Sequence, residues 1–182
     1  MKKLAALTLC FGLSGCMGYH IGPVKPYYLT DVHTIAVPMF KNETLLPRIE
    51  ALVTDTVIKQ FQQDGTYKIG NESGADATLK AEIAHISRSP ARSLKGNVLA
   101  TTEFNLTMRV HYRLLGRDGK PLGPSGEAVG TTSFFVGGDE TKSANSTSLN
   151  GPGDVTQDER QALPLAAEEL ATHLVSQLSE GW

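Results

Sequence analysis

Hydrophobic and polar residues alternate without interruption between Glu103 and Leu114. The apolar positions are Phe104, Leu106, Met108, Val110, Tyr112 and Leu114, and the polar positions are Glu103, Asn105, Thr107, Arg109, His111 and Arg113. Because successive side chains of a strand point to opposite faces, this pattern predicts a β-strand with one buried face. The wholly polar face indicates contact with water or with a polar partner.

Shorter patterns predict further strands before and after this one. The first of them contains Pro38, which lacks an amide donor, so we expect that strand to lie at a sheet edge or to end there. Polar residues at 41–44 and 117–120 predict turns. The segments with strand patterns are Thr34–Phe40, Ala77–Ile83 and Glu127–Val136, with a short extended piece at Tyr67–Ile69.

Two segments carry apolar residues at three- and four-residue steps, which is typical of amphipathic helices. The first follows Pro47, ends near Gly65, and has its apolar positions at Ile49, Leu52, Val53, Val57 and Phe61. The second begins with a capping box, Thr156-x-x-Glu159, and Pro164 is expected to break or kink its early part. Its apolar stripe is Leu163, Ala167, Leu170, Leu174 and Leu178.

The order of these elements, β-α-(β)-β-β-β-α, describes an α/β (α+β) sandwich. We expect a mixed, mainly antiparallel four-stranded sheet with two helices packed on one face. The pattern contains no internal repeat and no second core, so residues 34–182 are expected to form a single domain. Within that domain, residues 137–154 are rich in Gly, Ser, Asn and Thr, which predicts a long mobile loop.

The first sixteen residues have the pattern of a bacterial lipoprotein signal peptide. A short positive region and an apolar stretch precede Leu13-Ser14-Gly15-Cys16, which resembles the lipobox. The cysteine thiol is the nucleophile that accepts a diacylglyceryl group. We therefore expect residues 1–15 to be a signal peptide and residues 16–33 to be a lipidated N-terminus with a short tether. Because residue 17 is Met and not Asp, the resemblance implies outer-membrane anchoring through acyl chains on Cys16, on the periplasmic side.

Composition excludes several classes of function. The chain has 182 residues, with 17 Lys and Arg against 19 Asp and Glu, so it lacks the basic surplus of a nucleic-acid-binding protein. After removal of the signal peptide the only cysteine is Cys16, which excludes thiol catalysis, disulfides and thiolate metal sites. The five histidines have no metal-type spacing, and there is no catalytic constellation. We therefore expect no enzyme activity, no metal and no cofactor.

Several segments together resemble the LptE family of outer-membrane lipopolysaccharide-assembly lipoproteins. They are Cys16–His20, Thr34–Thr44, the helix from Arg48, Ala75–Ile83 and the long strand after it. The resemblance implies a non-enzymatic protein that binds lipopolysaccharide. It also implies a plug and assembly partner of the outer-membrane lipopolysaccharide-translocation β-barrel, which helps to insert lipopolysaccharide into the outer leaflet.

An alternative is an outer-membrane lipoprotein activator of a peptidoglycan synthase, which would be a protein-binding module. Proteins of that kind also begin with an Ile-Ala-Val strand, an Asn-containing turn and an amphipathic helix, but they generally carry a long tether. Here about 14 to 18 residues separate Cys16 from the first strand, which is at most roughly 60 Å when extended. A short tether favours a partner within the membrane.

Cations are concentrated between residues 80 and 120, where the chain has eight Lys and Arg but three Asp and Glu. We expect Arg88, Arg92 and Lys95 in a loop between two strands, where they can converge on a lipopolysaccharide phosphate beside apolar residues. The alternative is a solvated loop whose charges serve solubility. Lys142 in the Gly-rich loop is a weaker candidate for the same role.

The polar face of the long strand supplies a second set of candidates. Asn105, Arg109 and Arg113 share this face and are expected to contact the barrel, because a plug needs a hydrophilic surface against a wet lumen. For Arg109 and Arg113, binding of a ligand is the alternative to contact with the barrel wall.

Overall fold

The computed structural model describes residues 25–94, 97–135 and 157–180. A 3-10 turn at Tyr27–Leu29 precedes the first strand. Cys16, Lys95, Lys142 and the loop expected at 137–154 lie outside the described residues. In chain order the strands and helices are β1 Thr34–Ala36, β2 Lys41–Asn42, α1 Ile49–Asp64, β3 Lys68–Gly70, β4 Ala77–Leu94, β5 Asn97–Gly116, β6 Gly126–Phe135 and α2 Gln157–Ser179.

The strands form one mixed sheet in the order β3-β1-β4-β5-β6, and β2 pairs with β4 beyond the end of β1. β1 runs parallel to β3 and β4, and β2 runs parallel to β4, whereas β4, β5 and β6 are antiparallel. The expected mixed α+β class is confirmed, with six strands in place of four. The polar residues at 41–44 predict a turn, but Lys41 and Asn42 form the strand β2. A strand of two residues is too short to show an alternating pattern, so the sequence does not reveal it.

β4 is much longer than the sequence pattern indicates. The strand expected at residues 77–83 extends over 18 residues. The expected loop position of Arg88 and Arg92 is therefore wrong, since both residues lie in β4. A β-bulge between Ile83 and His85 shifts the phase of the side chains, so the alternation breaks in the sequence while the pairing with β5 continues.

Three residues that end or interrupt regular structure behave differently from one another. β1 ends before Pro38, as expected. Gly65 ends α1 with a φ of 75°, and its N–H donates to the Phe61 carbonyl at 3.0 Å. By contrast, α2 continues through Pro164, so of the two expected effects, a break or a kink, the break does not occur. Core packing holds the helix on both sides of the ring, through the buried residues Leu163, Ala166 and Ala167.

The core lies between the two helices and one face of the sheet. α1 and α2 pack against each other, and the apolar side of β5 joins them in one buried cluster. Leu106, Met108 and Val110 of β5 are fully buried, and so are Leu170 and Leu174 of α2. The assignment of the apolar face of β5 to the core is therefore confirmed. Its polar face lies on the side of the sheet that no helix of the described residues covers, which we call the uncovered side.

The turn after β5 is tied to the start of β1 through Asp76. Its carboxylate accepts the backbone N–H groups of His33 and Thr34 at 3.1 and 3.0 Å. It also accepts the Arg117 guanidinium at 3.0 Å. These donors, the two backbone N–H groups above all, hold the pKa of Asp76 below its usual value.

α2 closes the outer edge of β6 with a stripe of polar side chains. The Gln177 amide donates to the Glu127 carbonyl at 3.2 Å, and His173 Nδ1 lies 2.7 Å from the Val129 carbonyl. One turn earlier in α2, the Glu169 carboxylate accepts the Thr131 N–H. An edge strand exposes unpaired backbone groups that can recruit other strands, and here the helix satisfies three of them.

Gly130 permits this close approach of α2 to β6. A Cβ at this position would lie 2.0 Å from the Ala166 carbonyl oxygen and 2.6 Å from the Leu170 nitrogen. Both are backbone atoms of α2, so they cannot move aside as the end of a flexible side chain can. The glycine therefore sets the distance between helix and sheet.

We expect Gly130→Ala to lower the free energy of unfolding by about 1–3 kcal/mol, because the added methyl group forces α2 away from β6. Urea denaturation followed by circular dichroism measures the effect. Ser133→Ala, at an exposed position of the same strand, is the matched control and should change stability by less than about 0.5 kcal/mol. Equal stability of the two variants would contradict the role given to Gly130.

Candidate functional site

Arg88 makes an ion pair that joins β4 to α2. It pairs in register with the buried Leu106 of β5, which places it on the helix-covered side of the sheet. Its Nε donates to Glu159 Oε1 at 2.6 Å. The Glu159 side chain is 1% exposed and the Arg88 side chain is 28% exposed. The pair is therefore largely withdrawn from water, and its charges are screened less than those of surface pairs.

Glu159 was expected only as part of a capping box. It lies in the first turn of α2, where an acidic side chain is favourable beside the positive end of the helix dipole. Its partner Arg88 is 71 positions earlier in the chain. No pattern in the sequence links two residues so far apart, so this contact could not be derived from the spacing.

A cleft opens beside this ion pair. We call it the β4 cleft; it has a volume of about 390 Å³. Leu45 and Leu46, which follow β2, line one side, and Ile86 of β4 lines the other. Arg88 and Glu159 also line it. The cleft thus combines apolar walls with a guanidinium, an arrangement that can bind the anionic group of an amphipathic ligand.

Of the other cations expected to bind phosphate, only Arg92 lies within the described residues. Arg92 lies on β4 and pairs in register with Glu103 of β5. Lys95 and Lys142 lie outside the described residues. The structure thus puts Arg88 beside a cleft and Arg92 further along the same strand.

The uncovered side of the sheet carries the second set of candidates. Arg109 forms an ion pair with Glu127 of β6. His111 lies between two carboxylates, with Nε2 at 3.0 Å from Glu127 and Nδ1 at 3.7 Å from Glu82. The alternation in the sequence predicts that Arg109 and His111 share one face. It does not predict their carboxylate partners, because these depend on how β4, β5 and β6 align.

Asn105 and Arg113 share this face at its two ends. Asn105 pairs in register with Ser89 and with Ser133. Arg113 is exposed and lies directly opposite Lys80. Like charges in opposite positions repel each other, and Glu72 offsets part of this repulsion through a 3.0 Å contact with Lys80. The end of the face around Arg113 can therefore accept an acidic group from a partner.

Neither a metal site nor a membrane-spanning helix is found in residues 25–94, 97–135 and 157–180. No three His, Cys, Asp or Glu side chains in these ranges are placed to hold a metal ion. No helix in the same ranges is long and apolar enough to cross a membrane.

The comparison with protein families decides the family. The sequence model of LptE, described as lipopolysaccharide-assembly, matches residues 32–178. The chain belongs to the LptE family. LptE proteins are non-catalytic outer-membrane lipoproteins with a role in lipopolysaccharide assembly. The family resemblance read from the sequence is therefore confirmed.

The chain is similar to solved structures of other bacterial proteins. A PelC dodecamer variant from Paraburkholderia phytofirmans is 13% identical, with a TM-score of 0.50 over 87% of this chain and 96% of that chain. A minor lipoprotein from Acinetobacter baumannii is also 13% identical, with a TM-score of 0.49 over 81% of this chain and 91% of that chain. At this identity the similarity to the PelC variant shows the fold alone. No curated protein matches the sequence.

We expect Arg88→Ala to destabilise the LptE domain by about 1–3 kcal/mol, because the buried Glu159 carboxylate would lose this cation. Arg109→Ala removes the cation of an exposed ion pair on the neighbouring strand and should cost at most about 1 kcal/mol. Urea denaturation of the two variants measures the difference. If Arg88→Ala were no more destabilising than Arg109→Ala, the pair with Glu159 would not contribute to the fold.

Proposed function

We propose that this LptE protein binds lipopolysaccharide and acts as plug and assembly partner of the outer-membrane lipopolysaccharide-translocation barrel. In this role it helps to insert lipopolysaccharide into the outer leaflet, and acyl chains on Cys16 hold it at the periplasmic side of the outer membrane. The observation that carries the proposal is the family match over residues 32–178. The same match favours it over an activator of a peptidoglycan synthase.

The uncovered side of the sheet supports contact with a barrel lumen. The lumen of a large outer-membrane barrel is polar and wet, so a plug must present polar groups to it. Asn105, Arg109 and Arg113 are half-buried or exposed on this side. Of these, Arg113 lies beside another cation and is the best placed to meet an acidic side chain of the barrel.

The β4 cleft supports binding of lipopolysaccharide. That ligand carries phosphates on an acylated core, so it needs cations next to apolar surface. Arg88 lies in the cleft beside Leu45 and Ile86. We propose Arg88 as a phosphate contact, with Arg92, Lys95 and Lys142 as further contacts along the hairpin and the loop.

The binding test must remove the Arg88 charge without depriving the buried Glu159 carboxylate of this cation. Replacing both members of a buried ion pair by apolar residues of similar size is often neutral for stability. We therefore expect the double variant Arg88→Met, Glu159→Met to fold. We expect it to bind lipopolysaccharide at least about tenfold more weakly, because one charge-assisted contact contributes roughly 1.5–3 kcal/mol.

Displacement of a fluorescent lipid A analogue measures this affinity. The matched control is Arg109→Met, Glu127→Met, which removes an exposed ion pair from the uncovered side of the sheet. It should bind as the unmodified protein does. Unchanged affinity of the Arg88 variant would remove Arg88 from the site, and Arg92→Met, Lys95→Met would then test the remaining hairpin cations.

Contact with the barrel is tested in native outer membranes. Photo-crosslinkers at Asn105, Arg109 and Arg113 are expected to trap one large outer-membrane protein, because these side chains face the proposed lumen wall. Lys59, an exposed residue of α1, is the comparison position and should trap it less efficiently. Trapping of soluble periplasmic proteins alone would refute the plug proposal.

A further inference from the structure

The outer side of β4 is paired along only part of its length. β1 pairs with β4 as far as Thr78, and β2 pairs as far as Ile83. Among the described residues, the last backbone bond on this side runs from the Glu43 N–H to the Ile83 carbonyl at 3.1 Å. Although β4 continues to Leu94, no strand among the described residues pairs with it on this side after Ile83.

The direction of the backbone groups after the bulge follows from the ladder. Residues of an antiparallel strand direct their N–H and C=O groups alternately to one neighbour and to the other. Two residues paired in register either both direct their backbone groups toward each other or both direct them away. Val129 of β6 directs its carbonyl away from β5, to His173. Its partner Arg109 of β5 therefore directs its backbone groups away from β6, to β4. There Arg109 faces His85. The next residue, Ile86, consequently directs its N–H and C=O to the outer side.

The β4 cleft opens on this same edge. Ile86 lines one wall, and Leu45, which is 70% exposed, lines the other. The cleft volume of about 390 Å³ falls within the range of ligand pockets, which is about 300–1,000 Å³. An edge with outward-directed backbone groups and an adjacent apolar recess is the arrangement to which extended peptides bind.

We propose that an extended segment of a protein partner adds to the outer side of β4 at Ile86 and places an apolar side chain in the β4 cleft. The inference rests on the proposed function, since the partner is then the translocation barrel. A peptide strand supplies both a donor and an acceptor to Ile86. An acyl chain supplies neither, and it would cover these backbone groups without satisfying them. The backbone groups of Ile86 therefore favour a peptide over an acyl chain in the apolar part of the cleft, and the lipopolysaccharide contact proposed above is then limited to a phosphate at Arg88.

The added strand is short. The bulge between Ile83 and His85 bends β4 on one side of Ile86. Pro90, four residues further on, occupies an outward-directed position of the same alternation and offers no N–H. These two features limit the pairing to the stretch between them, and they also protect the edge from uncontrolled addition of strands.

Hydrogen exchange at single-residue resolution tests the proposal directly. The full-length lipidated protein is compared alone and in its purified complex with the barrel. The amide of Ile86 is expected to exchange at least about tenfold more slowly in the complex, because it gains a hydrogen bond. The amide of Ser87 is the internal reference, since it already faces β5 and should not change.

A matched pair of variants checks that the cleft is used. Leu45→Glu puts a charge at the rim of the β4 cleft and should abolish the slower exchange of Ile86. Leu165→Glu changes a leucine of α2 that is 54% exposed and does not line the cleft, and it should leave the slower exchange intact. Both leucines are surface residues, so both variants are expected to fold.

Each other result overturns the inference in a distinguishable way. If the barrel co-purifies but Ile86 exchanges as in the free protein, strand addition is wrong and the proposed function stands. If lipopolysaccharide vesicles without the barrel slowed the exchange of the Ile86 amide equally, the group bound at the outer side of β4 would be a lipid and not a peptide. Slow exchange already in the free protein would make the occupant the chain itself. If no barrel co-purifies, the inference fails together with the proposed function.

Discussion

The antiparallel pairing of β4 with β5 is the constraint on which the rest of the structure depends. It sets which side chains face the helices and which face outward along the two longest strands of the described chain. A shift by one residue would exchange the two faces, so that Arg109 would enter the core and Leu106 would face the uncovered side. The alternation of β5 makes that shift very unfavourable, which explains why the pairing is specific despite a bulge in β4.

The same pairing puts two arginine ion pairs on opposite sides of the sheet. Arg88 is brought to the helix side, where a buried carboxylate of α2 must neutralise it, whereas Arg109 is brought to the open side, where its ion pair with Glu127 is exposed to water. The first pair links the hairpin to α2 and is costly to break. The second contributes little to stability and leaves its residues available to a partner. Two arginines on adjacent strands thus have different roles because they lie on opposite sides of one sheet.

The edge of β6 and the outer side of β4 after Ile83 differ in what covers them. α2 covers part of the edge of β6 with polar side chains, and Gly130 lets the helix come close enough to do so. The outer side of β4 after Ile83 has a bulge and a proline but no covering strand among the described residues. A sheet that protects one edge with a helix and leaves a short stretch of another available is suited to binding a partner without aggregating.

The sequence alone determined the fold class, both helical stripes, the faces of β5, the end of β1 and the family. The helical stripes and the faces of β5 come from periods of about 3.6 and two residues. The end of β1 comes from the missing amide of Pro38, and the family comes from short segments of sequence, so all of these features are visible locally. Only the tertiary structure decided the length of β4, the short strand β2, the continuity of α2 through Pro164 and the ion pair of Arg88 with Glu159. Each of these depends on packing or hydrogen bonds between distant segments, and such contacts leave no period in the sequence.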